Sequence, residues 1–132
     1  MTNTLTPTEL QLYRNGASMD LIEQLRAKPT SERGRGGLQQ QTEQLLRALQ
    51  SAGKILDYYH RPDRKPAKGE RAGLPDLLIA VRDGLVLGLE LKRPGETPTD
   101  CQRVWLAALG DNGTWATSIS EVVRFLESKG VM

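Results

Sequence analysis

The order of apolar segments predicts an α/β fold: a mixed β-sheet flanked by helices in the order α-β-β-β-α-β-α, after a small N-terminal helical appendage. Two observations carry this. Two strongly apolar runs, Leu77 to Val81 and Leu85 to Leu91, are joined by Arg82-Asp83-Gly84 and read as a β-hairpin. Segments with apolar residues at helical spacing lie before and after that hairpin. A hairpin is antiparallel and a helical crossover gives a parallel pair, so the sheet must be mixed.

Residues 1–30 read as two short helices. Thr6-Pro7-Thr8-Glu9 offers a capping Thr, a Pro at the first helical position and a Glu three residues after the Thr, and Gly16 can end that helix. Ser18 can cap a second helix carrying Leu21, Ile22 and Leu25, which Pro29 stops. A helix-turn-helix DNA reader is a poor fit, because Asp20 and Glu23 oppose Arg26 and Lys28 on that second helix. Thr30 to Gly37, with Arg33 and Arg35 among glycines, reads as a linker, either plain solvated chain or a basic arm. The sequence thus divides into an appendage with a basic linker (1–37) and a main domain (38–132).

Leu38 to Ala52 is the first strong helix, with Thr42, Leu45, Leu46, Leu49 and Ala52 forming an apolar stripe, Glu43 beside it and Gly53 ending it. Ile55 to Tyr59 reads as a strand. From Tyr58 to Arg71 the pattern breaks into a loop with five Lys/Arg, two Asp/Glu and two prolines; it is either a solvated loop or a phosphate-gripping one. After the hairpin, Arg93-Pro94-Gly95 ends the strand, and a helix begins at Thr97 or Thr99 with Val104, Trp105, Ala108 and Leu109 on one side. Gly110 and Gly113 close it, Trp115 to Thr117 is a short strand, and Ser118 with Glu121 forms a capping-box pattern. The last helix buries Val122, Val123, Phe125 and Leu126 and ends at Gly130.

Composition bounds the function. The 132 residues carry 18 Lys+Arg and 16 Asp+Glu, so the net charge of +2 argues for nucleic acid only through its distribution. The single Cys101 excludes an internal disulfide and fits a reducing compartment. The first residues lack the basic start and apolar stretch of a signal peptide, and no apolar run is long enough to span a membrane, so a cytoplasmic protein is expected. His60 and Cys101 are the only His and Cys, which leaves no conventional zinc site. Neither a Walker loop nor Gly-x-Gly-x-x-Gly is present, and no organic cofactor is expected.

The chemistry gathers at the hairpin. Strand alternation sends Leu85, Leu87, Leu89 and Leu91 to one face and Val86, Gly88, Glu90 and Lys92 to the other. Glu90 and Lys92 could simply pair, as exposed neighbours do for about 0–1 kcal/mol. However, Asp76 opens the preceding strand, and hairpin pairing can bring its carboxylate close to Glu90. Two carboxylates held together repel, and a cation relieves this. Hard oxygen ligands favour Mg²⁺ or Mn²⁺. A divalent ion that lowers the pKa of water, with a lysine beside it, is equipment for phosphodiester hydrolysis.

Gly73-Leu74-Pro75-Asp76, thirteen residues, then Glu90-Leu91-Lys92 resembles the PD-(D/E)XK nuclease signature. The finer resemblance is to its VRR-NUC branch, the virus-type replication-repair nucleases, through Gly-x-Pro-Asp, Glu-x-Lys-x-Pro, Gln102 near Trp105-Leu106, and Glu43 on the first core helix. It covers roughly residues 38–130. The resemblance implies a restriction-endonuclease-like core and a catalytic Mg²⁺ or Mn²⁺ held by Asp76, Glu90 and the Leu91 carbonyl, with Glu43 contributing through water. It implies that Lys92 holds the attacking water and that Gln102 positions Lys92 or the phosphate, although Thr99-x-x-Gln102 is itself a capping box. Arg61, Arg64, Lys65, Lys68, Arg71 and Arg93 would grip DNA. Stand-alone members of the branch look like dimeric four-way (Holliday) junction resolvases, so the expectation is a metal-dependent, structure-selective DNA endonuclease acting on branched DNA as a homodimer. A monomeric flap- or nick-processing nuclease, a non-catalytic DNA-binding module of the same fold, and a small structural protein are the alternatives.

Overall fold

The computed structural model describes residues 5, 7–14, 19, 35–61 and 73–132. The second appendage helix and most of the expected loop, with Arg64, Lys65, Lys68 and Arg71, lie outside the described residues. Helix α1 spans Pro7–Arg14, with Pro7 at its first position as the capping pattern requires.

Helix α2 runs from Arg35 to Ser51. It therefore takes in Arg35, Gly36 and Gly37, which the sequence had assigned to the linker. The first helical turn has no intrahelical partners for its N–H groups, so polar and glycine residues are tolerated there. Leu38, Leu45, Leu46 and Leu49 are buried, and the buried Thr42 hydroxyl donates to the Leu38 carbonyl at 2.7 Å. Ala52, counted in that stripe, is exposed beyond the helix end.

Four strands follow: β1 (Asp57–His60), β2 (Leu77–Arg82), β3 (Leu85–Leu91) and β4 (Gly113–Ala116), in the sheet order β1-β2-β3-β4. The pairs β1–β2 and β2–β3 are antiparallel and β3–β4 is parallel. The fold is therefore α/β with a mixed four-stranded sheet. Arg82 pairs with Leu85 across Asp83-Gly84, whose φ values of 50° and 78° are those of the two-residue hairpin turn that follows strand twist. Register shifts between Ala80 and Arg82, leaving Val81 as a bulge.

Leu77, Ile79, Val81, Leu87, Leu89 and Leu91 form the core with the leucines of α2 and with helix α4 (Ile119–Ser128). Ile119, Val122, Val123, Phe125 and Leu126 are the buried stripe of α4. Its end is sealed by Gly130 N–H to the Glu127 carbonyl and Val131 N–H to the Leu126 carbonyl, each 3.1 Å, which tucks Val131 and Met132 into the core.

Helix α3 (Asp100–Leu109) takes the other side of the sheet, where it lies against Gly88 and Gly113. No residue of α3 is fully buried, and Val104 is 70% exposed. The expected Val104–Trp105–Ala108–Leu109 face is thus rotated: Gln102, Trp105, Leu106 and Leu109 are the partly buried residues. The two glycines draw the helix in at Leu109, and that fixes which side faces the sheet. A 3-10 turn, Gly110–Asn112, leads into β4. Among the described residues, no helix is long and apolar enough to cross a membrane.

Candidate functional site

Strand register sets the site. Leu77 pairs with Leu89, so one residue further Asp76 stands opposite Glu90. His60 pairs with Leu77, and the Arg61 N–H donates to the Asp76 carbonyl at 2.8 Å, so Arg61 stands opposite Asp76 on the other side. Glu90 pairs with Trp115 on β4. Arg61, Asp76, Glu90 and Trp115 therefore form one row across the sheet, on the face away from the leucine core.

Asp76 is fixed by the backbone. Its Oδ2 accepts from the Leu91 N–H at 2.8 Å, while Oδ1 accepts from an Arg61 guanidinium nitrogen at 3.3 Å. Gly73 makes this possible. Its φ is +90°, and a Cβ there would meet the Cys101 carbonyl carbon at 2.5 Å, so the chain entering Asp76 passes directly against the start of α3. Gly88 serves the same packing: a Cβ there would clash with Leu109 and meet Pro75 at 3.3 Å.

Glu90 is 1% exposed. Its Oε1 accepts from Gln102 Nε2 at 3.1 Å and lies 3.9 Å from Lys92 Nζ. Its Oε2 is buried with no hydrogen-bond partner among the described residues. Burial pushes the Glu90 carboxyl up to about 8; the neighbouring Asp76 carboxylate adds to the rise, while Lys92 and Arg61 oppose it.

Gln102 does two things at once. Its Oε1 accepts from the Thr99 N–H at 2.8 Å and its own N–H donates to Thr99 Oγ1 at 3.3 Å, which completes the capping box of α3. The remaining amide nitrogen reaches Glu90. The cap thus orients the side chain that touches the carboxylate.

Of the residues singled out from sequence, Asp76, Glu90, Leu91, Lys92 and Gln102 come together. In a strand a residue's N–H and C=O point to the same side. The Leu91 N–H faces Asp76 and the Lys92 N–H bonds the Ala116 carbonyl on β4, so the Leu91 carbonyl is aimed to the Asp76 side. Glu43 is placed elsewhere. It accepts from Gln39 Nε2 at 3.3 Å, and its charge, after burial, helps raise the Tyr58 hydroxyl. Helix α2 packs on the leucine side of the sheet, and among the described residues no three His, Cys, Asp or Glu side chains converge as a metal-holding group.

Arg61, expected to grip phosphate, lies 3.3 Å from Asp76. Arg93 is exposed just past β3, its N–H donating to Glu96 at 2.9 Å. Tyr58 turns inward against the core, while Tyr59 stays 54% exposed. Sequence reasoning did not find the Arg61–Asp76 contact, whose signal lay in the β1–β2 register, or Trp115 beside Glu90, because a parallel pairing leaves no local sequence mark. Set against protein-family models, curated proteins and solved structures, the chain matches none of them.

Proposed function

We propose that this chain is a Mg²⁺- or Mn²⁺-dependent DNA endonuclease of the PD-(D/E)XK type, nearest the VRR-NUC branch, that incises branched DNA. One observation carries the proposal: the buried Glu90 carboxyl stands beside Asp76, and no donor among the described residues reaches its Oε2. A purely structural polar cluster this deep would normally have every oxygen satisfied. The residues fit a hard divalent ion. Asp76 Oδ1, Glu90 Oε2 and the Leu91 carbonyl are oxygen donors on one side of the β2–β3 ladder, as Mg²⁺ and Mn²⁺ prefer. Glu43 is not among the donors that this geometry offers.

When bound, the ion supplies positive charge that acidifies water and offsets charge on the phosphate oxygens. The chain's own groups do the rest. The Leu91 N–H and Gln102 hold the two carboxylates in place. Lys92, 13% exposed and 3.9 Å from Glu90, is too distant for a close hydrogen bond and can orient a water or a phosphate oxygen. Exposed Arg93 extends the positive surface beside the site.

The test is cleavage of labelled four-way junction, flap and linear duplex with Mg²⁺, Mn²⁺ or chelator. Metal-dependent incision of branched substrates is expected. Lys92→Ala should lower the rate about 10²- to 10⁴-fold with the fold retained, and full activity in that variant would sink the assignment. A dimer in light scattering with paired cuts on a four-way junction supports the resolvase form; a monomer that cuts only flaps replaces it with flap processing.

A second reading has one observation in its favour: each acid already has a cation near it, Arg61 at Asp76 and Lys92 at Glu90, as a structural ion cluster would. It predicts no stabilisation by Mn²⁺, whereas a bound ion at a hundredfold excess over Kd adds about 2.7 kcal/mol.

A further inference from the structure

We infer that Arg61 is a built-in counter-ion of this site: it holds Asp76 when no divalent ion is present, yields that carboxylate to the ion, and is thereby freed for a substrate phosphate. The inference rests on the metal reading above and concerns how the chain keeps the site intact without metal.

The two oxygens of Asp76 are held differently. Oδ2 is anchored at 2.8 Å by the Leu91 N–H, a backbone group that cannot leave without breaking the sheet. Among the described residues, Oδ1 is held by one guanidinium nitrogen at 3.3 Å, longer than the ~2.7–2.9 Å of a tight charge-assisted bond. The Arg61 Nε is buried with no partner among the described residues, so the pair is not the two-pronged fork that a permanent Arg–carboxylate bridge prefers. Removing Arg61 therefore leaves Asp76 in position with Oδ1 open. The Arg61 side chain is 22% exposed against 9% for Asp76, so it has a path to solvent that requires no opening of the core.

The charge balance runs the same way. With both carboxylates ionised, as an ion would hold them, Asp76 and Glu90 are matched by Arg61 and Lys92, one acid to one base. A divalent ion added to that set brings two surplus positive charges, which repel Arg61 from Asp76. That surplus is what an incoming phosphodiester meets. Arg61 leaves β1 opposite Asp76 in the row, so its released guanidinium stays tethered beside the cleavage position.

The experiment is calorimetric titration of Mn²⁺ into the metal-free chain, wild type against Arg61→Gln, with no DNA present. Loss of the competing cation should tighten Mn²⁺ binding by about tenfold, the scale of one charged hydrogen bond. Equal or weaker binding in Arg61→Gln overturns the inference. No Mn²⁺ binding by wild type overturns the metal reading itself, so the two failures are separate. If Arg61→Gln does not fold without metal, Arg61→Lys carries the same test, with tightening in the same direction but smaller. Anisotropy with a labelled four-way junction is the second arm: Arg61→Gln should lose affinity in Ca²⁺ and change little in chelator. An equal loss in both conditions marks Arg61 as a permanent phosphate contact and also overturns the exchange.

Discussion

Replacing Glu90 with Gln should make the metal-free protein more stable. Glu90 titrates near 4.5 in an unfolded chain and at about 8 in the fold, mainly because it is buried. A carboxyl raised in this way adds stability that is fully present below pH 4.5 and is lost as the pH climbs towards 8. At pH 7 the loss spans about 2.5 pH units at 1.36 kcal/mol each, or roughly 3 kcal/mol, and above pH 8 it approaches about 5 kcal/mol. Gln avoids this cost and keeps an oxygen for Gln102, while its amide can donate to Asp76.

Urea unfolding in chelator at pH 5, 7 and 9 measures the difference. Glu90→Gln should exceed wild type by under ~1 kcal/mol at pH 5, about 2–3 at pH 7 and about 4 at pH 9. Added Mn²⁺ should reverse the order, because only the carboxylate binds it. A difference that does not change with pH, or a variant less stable than wild type at pH 9, refutes the reasoning that Glu90 is a strained acid awaiting a cation.

Two further variants test how the site is supported. Gln102→Glu keeps the oxygen that caps Thr99 but replaces the donor to Glu90 with a second acid, so α3 should hold in circular dichroism while cleavage falls at least tenfold. Gln102→Ala should lose activity and also about 1 kcal/mol of stability in urea, through the missing cap. Gly73→Ala should cost about 3 kcal/mol or more, against about 1 kcal/mol for Gly95→Ala; the two glycines share nearly the same φ, +90° and +89°, but nothing stands near Gly95. Equal costs in thermal melts would show that the close approach to Cys101 does not constrain the chain.

The sequence made the hairpin legible because its signals are local. Asp83-Gly84 specifies the turn, and strict alternation from Leu85 to Leu91 specifies the buried side, so the facing of Glu90 and Lys92 followed directly. The capping residues Thr99 and Ser118 were equally local, and both helices start there. What stayed hidden depends on approach between distant segments. The α3 stripe was misjudged at Val104 because the contact surface is set by Gly88 and Gly113, which show no apolar pattern. Spacing gave Glu43 only as a residue beside the apolar stripe, and the family resemblance alone drew it toward the site; spacing cannot say which layer a helix occupies, and α2 occupies the leucine layer.

The same distinction explains why the candidate site is a pair of acids on a rigid ladder rather than a loop constellation. Asp76 and Glu90 face each other because β2 and β3 share a short turn, so their separation is inherited from sheet register and survives side-chain motion. The cost of that fixed proximity falls on Glu90, which cannot turn away into solvent. The groups that relieve it are graded by mobility. The Leu91 N–H is immovable, Gln102 is pinned by its own helix cap, and Arg61 and Lys92 are long cations at 3.3 and 3.9 Å. An arrangement built only for stability would make the cations the tight partners and leave no oxygen bare. Here the neutral donors are tight and the cations loose, which leaves the acids fixed in place and their positive partners exchangeable.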